Sequence, residues 1–221
     1  MLTSKTLAVN EIIDTSFPDS NDLRDHPKSI EILHYLSNKL DPERLEHVIS
    51  VQETAVALVR FHQKADVWKV NLAALLHDVA KWMSDDQLYK AISRFDIELD
   101  PIEKIMPALL HAIVGVKNAI ELFNVTDLDI LEAIRCHTTG NASMGLTAKL
   151  VYVADFAEPN REYKEAEQVR QLAKVDLDRA VHSVARYKIG FLLQNGGIIH
   201  PNTIHTYNST FPDIDKYEQN L

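Results

Sequence analysis

The sequence contains few cysteines and few glycines. Its single cysteine, Cys136, excludes an internal disulfide and is typical of a protein from a reducing compartment. Only 6 of the 221 residues are glycine, and no stretch alternates apolar and polar residues with the period of two that half-buried strands show. These absences argue against a disulfide-stapled scaffold and against a β-rich fold.

Long apolar runs and blocks of basic residues are also absent. No stretch approaches the roughly 20 apolar residues of a membrane-spanning helix, and the N-terminal residues lack the apolar core of a signal peptide. The formal net charge of −9 disfavours a groove for nucleic acid. We therefore expect a cytoplasmic protein that acts on a small molecule, without a nucleic-acid or membrane partner; a homodimer is compatible with this composition.

Apolar residues recur at helical spacing over most of the chain. This pattern predicts helices over residues 26–40, 42–63, 66–81, 85–95, 101–123, 127–137, 146–158, 161–172 and 176–194. The following stretch, NGGIIHPNTIHTYNSTFPD, is predicted to be a loop. Residues 1–25 are polar and are expected to form a loosely ordered arm, and residues 26–221 are expected to form one all-α domain.

Residues 75–81, LLHDVAK, interrupt an apolar run with an adjacent histidine and aspartate. A buried carboxylate is costly unless it is paired or bound to metal. A buried histidine that pairs with the neighbouring carboxylate would explain His77 and Asp78 without any functional role. The same two side chains are also suitable metal ligands.

Asp155 lies in KLVYVADFAEP, where nearly every helical face is apolar, so its carboxylate requires a cationic partner, either an arginine or a metal ion. His111 interrupts another apolar stretch. His47 lies one helical turn before Val51, which is expected to face the core, but a surface or capping position is the favoured explanation for this histidine taken alone. His137 ends a predicted helix, where a protonated ring would suit the helix dipole as well as a metal would.

Histidine and aspartate side chains from separate helices are what a metal site in the core of a helical bundle requires. Mixed imidazole and carboxylate ligands without thiolate suit iron, manganese or zinc. The pattern therefore predicts a metal centre in the core, but it does not identify a reaction.

Three segments resemble the HD-domain superfamily and, within it, the YqeK-type symmetrical diadenosine tetraphosphate hydrolases of bacteria. They are EHVISVQETAVALVRFHQKADVWKVNLAALLHDVAK, HAIVGVKNAI and IRCHTTGNASMGLTAKLVYVADFAEPNRE. The His-Asp pair is common to the superfamily, whereas the last segment is more specific. The resemblance implies an all-helical hydrolase with a dinuclear metal centre, iron being expected and manganese or another divalent ion the alternative.

The resemblance also implies roles for individual residues. The metal ligands would be His47, His77, Asp78, His111, His137 and Asp155, with Asp78 bridging two ions. We expect Asp78 and Lys81 to act in catalysis. Lys81, Thr138, Thr139, Gly140 and Arg161 would bind the substrate, a dinucleoside polyphosphate, although a solvated helix end would also explain Lys81 and an ordinary turn would explain residues 138–140.

Two alternatives remain open from the sequence. The same site could hydrolyse a different nucleotide, or the chain could be a nucleotide sensor with little turnover. Asn141 stands where the family commonly has a basic residue, and Tyr207 stands where an arginine is expected. These differences concern the substrate rather than the metal ligands.

Overall fold

The computed structural model describes residues 19–211, which form eleven α-helices and no strand. The helices are α1 (Ser20–Arg24), α2 (Pro27–Ser37), α3 (Pro42–Val59), α4 (Val67–Leu76), α5 (Asp85–Arg94), α6 (Pro107–Phe123), α7 (Leu128–Cys136), α8 (Leu146–Ala157), α9 (Lys164–Ala173), α10 (Leu177–Gln194) and α11 (Pro201–Ser209). The all-α prediction is confirmed. No helix within residues 19–211 is long and apolar enough to cross a membrane.

Local chemistry explains where most helices begin. The side chain of Asp41 accepts a hydrogen bond from the backbone N–H of Arg44, and Pro42 occupies the first turn of α3. Ser84 and Gln87 form a reciprocal capping box at the start of α5. These caps satisfy N–H groups that have no partner inside the helix.

The structure corrects three of the predicted boundaries. The helix predicted over residues 66–81 ends at Leu76, and the chain continues in turns in which Val79 N donates to Leu76 O. The helix predicted over 101–123 begins only at Pro107, which opens its first turn. The predicted C-terminal loop contains α11, in whose first turn the backbone N–H of Asn202 donates to the side chain of His200.

The main core surrounds α8, which packs against α3, α4, α7, α9 and α10. Residues Leu150 to Ala154 of this helix are fully buried, including the large ring of Tyr152. The inner face predicted for α3 is confirmed, because Val48, Val51 and Ala55 are buried. Burial on this scale provides most of the free energy that holds a helical domain together.

A smaller apolar cluster packs α5 against α6 and includes Leu88, Ile92 and Leu110. Gly115 of α6 lets the neighbouring helix approach closely, since a Cβ there would lie 3.2 Å from Ile134 Cγ2 of α7. The close approach of α6 and α7 brings the start of one helix near the end of the other, where two of the candidate histidines lie.

The end of the predicted N-terminal arm lies against the helical domain. Leu23 of α1 is buried, and Arg24 forms an ion pair of 2.7 Å with Glu53 of α3. Residues 1–18 and 212–221 lie outside the described residues, so the predicted arm of residues 1–25 and the domain boundary at residue 26 remain predictions.

Candidate functional site

All six predicted metal ligands meet where α3, α6, α7 and α8 approach the turn that follows α4. Their nitrogen and oxygen atoms form two groups of three, His47–His77–Asp78 and Asp78–His111–His137, with ligand atoms within 4.8 Å of one another in each group. Asp155 Oδ1 lies 3.1 Å from His47 Nε2 and 3.9 Å from His77 Nε2. Asp78 is common to both groups.

Helix ends and first turns position these side chains. His77 and His137 are the C-cap residues of α4 and α7. His111 lies one turn into α6, and Asp155 lies in the last turn of α8. Because Asp78 follows immediately after the end of α4, its carboxylate can contact histidines from both groups.

Three of the four histidines are oriented by the same backbone contact. The Nδ1 atoms of His77, His111 and His137 lie 2.7, 2.7 and 2.8 Å from the carbonyl oxygens of Ala74, Ala108 and Ile134 respectively, each three residues earlier in the chain. A carbonyl can only accept, so each Nδ1 carries the proton and each Nε2 presents a lone pair to the centre. This is the tautomer and orientation that metal-binding histidines require.

Glu158 orients the fourth histidine. Its Oε1 atom lies 3.2 Å from His47 Nδ1, while its Oε2 atom accepts hydrogen bonds from Ser50 Oγ and Asn160 N, both at 2.7 Å. The carboxylate therefore accepts the Nδ1 proton of His47 and directs Nε2 inward. Carboxylate–histidine pairs of this kind commonly support metal ligands.

The donor set fits a divalent cation. The buried Nε2 atom of His77 has no hydrogen-bond partner within the described chain, and that of His47 has only the Asp155 carboxylate, 3.1 Å away but outside hydrogen-bond geometry. His111 Nε2 and His137 Nε2 lie 3.0 Å apart, and with both Nδ1 protons already donated, two lone pairs face each other. A cation in each ligand group would resolve both problems, because each would accept the electron pairs of the two imidazole nitrogens that face it.

The electrostatics agree with this arrangement. Burial lowers the pKa of His111 to about 4 and that of His137 to about 3, so both rings are neutral at pH 7, the form in which an imidazole can bind a metal ion. Burial by itself would lower the pKa of His47, but the carboxylates of Asp155 and Glu158 raise it overall. Those carboxylates favour a positive charge at His47 Nε2, which a metal ion supplies as well as a proton does.

Asp78 is held in its ionised form. Burial acts to raise the pKa of its carboxyl group, but the neighbouring His77, His111 and His137 outweigh burial and lower the pKa below its usual value. Arg44 Nη1 adds a hydrogen bond of 3.2 Å to Asp78 Oδ2. An ionised carboxylate between two groups of imidazoles is suited to bridging two cations.

A third group of possible ligands, Asp100–Glu103–His200, differs from the first two. Its atoms are already satisfied: His200 Nε2 lies 2.7 Å from Asp100 Oδ2, His200 Nδ1 accepts from Asn202 N, and Glu103 pairs with Arg135. This group therefore ties α11 to the turn before α6 and needs no metal.

A cavity of about 390 Å³ opens above the two ligand groups. Among the described residues that line it, Arg44, Lys81, Arg161 and Lys188 are cationic. Its lining also includes the apolar residues Met106, Leu109, Phe191, Leu192 and Ile198. Cationic and apolar side chains in one cavity beside the candidate centre suit a ligand that carries both phosphate and a base.

The structure brings most of the predicted substrate-binding residues to this cavity. Lys81, Thr138, Thr139 and Arg161 line it. Lys81 does so from a turn rather than from the helix on which the prediction relied, and its Nζ lies 3.4 Å from His111 Nδ1. Thr138 Oγ1 lies 3.0 Å from His137 Nε2.

Gly140 is not among the lining residues. Its φ of +72° is a left-handed conformation that favours glycine, and an added Cβ would clash with Thr206 Oγ1 of α11. The geometry at this position therefore reflects the tight packing of α11 against the turn after α7.

Sequence reasoning missed three residues of the site: Arg44, Glu158 and Lys188. Arg44 lies three residues before His47 on α3, a spacing that places both on one helical side and was available as a signal. Lys188 gave no local signal. It reaches from α10 to the carbonyl oxygens of His137 (3.2 Å) and Thr138 (2.9 Å), and burial lowers its pKa to about 8.

Comparisons with known proteins agree with this architecture. The protein family "HD domain" matches residues 44–160. The chain is 38% identical to the symmetrical bis(5'-nucleosyl)-tetraphosphatase of Halalkalibacterium halodurans over 80% of this chain and 93% of that protein. It is 36% identical to the protein of the same name from Bacillus subtilis, over 80% of this chain and 95% of that protein.

A solved structure is also similar. The crystal structure of a predicted HD superfamily hydrolase involved in NAD metabolism from Clostridium acetobutylicum matches with a TM-score of 0.79 and 33% sequence identity. The match covers 85% of this chain and 97% of that one.

Proposed function

Because the chain belongs to the HD domain family, which consists of metal-dependent hydrolases, we propose that it cleaves diadenosine tetraphosphate symmetrically into two molecules of ADP. Its relatives from two bacilli, which are 38% and 36% identical to it, are symmetrical bis(5'-nucleosyl)-tetraphosphatases. They match over nearly their whole length, so the similarity extends across the domain that carries the site.

One observation carries the proposal: the two ligand groups share Asp78 at the base of a cavity lined by cationic side chains. His47, His77, Asp78 and Asp155 would hold one divalent cation, and Asp78, His111 and His137 the other. The proposed metal is iron, which the family resemblance implies and which imidazole and carboxylate ligands suit; manganese or another divalent ion is the alternative. Such cations supply Lewis acidity toward phosphoryl oxygens and lower the pKa of water toward neutrality.

The residues of the chain itself position the phosphates. Hydrolysis of a phosphoanhydride depends mainly on orientation and on neutralising charge. Lys81 and Arg161 line the cavity and would bind phosphate oxygens. Arg161 would do so through two parallel hydrogen bonds. Thr138 places a hydroxyl beside His137, where it can orient a reacting oxygen. Arg44 adds positive charge at the shared carboxylate of Asp78, and Lys188 adds positive charge near Asp155.

Product analysis tests the activity. Protein loaded with iron or manganese is incubated with diadenosine tetraphosphate, and the products are separated by ion-exchange chromatography. ADP as the sole product is the expected result. AMP together with ATP would refute symmetric cleavage, and hydrolysis of other nucleotides alone would assign the site to a different substrate. Binding without turnover would favour a nucleotide sensor.

A matched pair of variants connects the activity to the site. His77→Ala removes a fully buried ligand and is expected to abolish ADP formation together with metal content. His34→Ala removes an exposed histidine of α2, outside the cavity, and is expected to leave both unchanged. Elemental analysis of the purified protein should find two ions per chain; one ion would contradict the dinuclear centre.

A further inference from the structure

An aromatic groove continues from the candidate active site, and we propose that it binds the second nucleoside of the dinucleotide substrate. The groove has a volume of about 790 Å³ and lies between α10 and the segment that joins α8 to α9. Its aromatic residues are Phe156, Tyr163, Tyr187 and Phe191. This inference rests on the proposed function, since a substrate with two nucleosides is what requires a second surface.

Symmetric cleavage sets the requirement. The reacting bond lies at the midpoint of the substrate, so one nucleoside diphosphate unit must extend from the metal centre in each of two directions. The first cavity, about 390 Å³, lies at the small end of the roughly 300–1,000 Å³ typical of small-molecule sites. It suits one nucleotide unit, and the other unit must bind elsewhere.

The groove presents the chemistry that binds a base. The rings of Phe156 and Tyr187 are nearly parallel, at 12° with centroids 5.9 Å apart, and the ring of Tyr163 packs edge-on against Phe156. Phe191 is 65% exposed, which is unusual for a large aromatic residue. Aromatic surfaces of this kind stack on bases without strong preference for sequence.

The groove and the first cavity share three residues, Arg161, Lys188 and Phe191. Two of the three are cationic and stand at the boundary between the two spaces, where the phosphate chain must cross from the centre to the groove. Arg161 Nε lies 3.4 Å from Glu158 Oε1, outside hydrogen-bond geometry, and 39% of its side chain remains exposed. Arg186 adds a further positive charge to the groove and Glu165 a single negative one, so the balance favours an anionic ligand.

Binding stoichiometry tests the proposal directly with ADP, which represents either half of the substrate. Equilibrium dialysis with metal-loaded protein should find two ADP per chain. Tyr187→Ala should lose one of them, whereas Tyr187→Phe, which retains the ring and loses only the hydrogen bond to Gln168, should keep both. Leu193→Ala is the matched control, because Leu193 is an exposed residue of the same helix outside both cavities.

Kinetics provides a second readout. Tyr187→Ala should raise the KM for diadenosine tetraphosphate about tenfold with little change in kcat, the size expected for losing one stacked base. A loss of kcat with unchanged KM would point to damage to the fold and would overturn the proposal. One ADP per wild-type chain, or two in Tyr187→Ala, would overturn it as well.

The test separates failure of this inference from failure of the proposed function. If the wild-type protein forms ADP from diadenosine tetraphosphate but binds only one ADP, the groove assignment fails and the activity stands. If no ADP is formed, the activity fails and the ADP stoichiometry still decides whether the groove binds a nucleotide. A dimer that dissociates in Tyr187→Ala, with ADP stoichiometry unchanged, would assign the groove to a second copy of the chain.

Discussion

Glu158→Gln is expected to weaken one of the two proposed metal sites and leave the other intact. Glu158 is buried, and its two oxygens have different partners: Oε2 accepts from Ser50 Oγ and Asn160 N, whereas Oε1 faces His47 Nδ1 and Arg161 Nε. Glutamine can keep its oxygen on the first pair of donors only by turning its NH2 group toward the second pair. A donor then faces the donor at His47 Nδ1.

The size of the effect follows from that conflict. His47 loses the acceptor that holds its proton on Nδ1, so its ring favours the tautomer with the proton on Nε2, the atom that would bind metal. Loss of a carboxylate behind a metal-binding histidine typically weakens metal affinity 10–100-fold, about 1.4–2.7 kcal/mol. The Asp78–His111–His137 group does not contact Glu158 and should keep its affinity.

Competition with a chelator measures the two sites separately. Protein loaded with Mn²⁺ is titrated with chelator while released Mn²⁺ is followed by electron paramagnetic resonance. Glu158→Gln should release about half of its metal at markedly lower chelator concentration. Glu162→Gln, an exposed glutamate nearby, is the control and should behave like the wild type. Equal release curves for Glu158→Gln and the wild type would refute the reasoning.

Three further predictions concern the candidate centre. Asp78→Ala should abolish both activity and metal content, whereas Lys81→Ala should retain the metal and lower kcat/KM; wild-type kinetics in Lys81→Ala would remove that residue from the site. Asp155→Asn should lower the melting temperature more with added metal than with chelator, because a ligand stabilises only the metal-bound native state; an equal loss in both conditions would indicate a structural ion pair. The chelated protein should lose stability as the pH falls from 6.5 toward 4. The unfolded chain protonates His111 near pH 6.5, whereas burial holds the pKa of His111 in the folded protein at about 4. This difference in pKa is worth about 3 kcal/mol of unfolding free energy. Urea unfolding at pH 7 and pH 4.5 checks this, and an unchanged midpoint would contradict it.

The sequence by itself determined the fold class and the identity of the candidate ligands. Apolar residues at helical spacing predict helices because each helix must bury one face, and the structure confirms this for α3 and α8. Five of the six candidate ligands were recognisable because each interrupts an apolar stretch or ends a helix; the family resemblance added His47 and combined them into one set. The helical spacing and the interrupted apolar stretches both depend only on neighbouring residues, so they can be read from the sequence without the tertiary structure.

Helix boundaries were less predictable. The apolar pattern continues from residue 67 through Ala80, yet α4 ends at Leu76, because His77 and Asp78 turn toward partners on other helices. Helix α11 was missed because its polar sequence gives little helical signal. Its Thr203 is buried and donates to Thr139 O, a contact that exists only after the chain has folded.

Only the tertiary structure decided which residues support the centre and surround the substrate. Glu158 reaches His47 across 111 residues of sequence, Arg44 reaches Asp78 across 34, and Lys188 reaches the carbonyl oxygen of His137 across 51. No local pattern encodes such pairs, because a glutamate, an arginine and a lysine are as common on solvated helix faces as in a site. Their roles arise only when α3, α8 and α10 pack together, which brings these charges beside the candidate ligands.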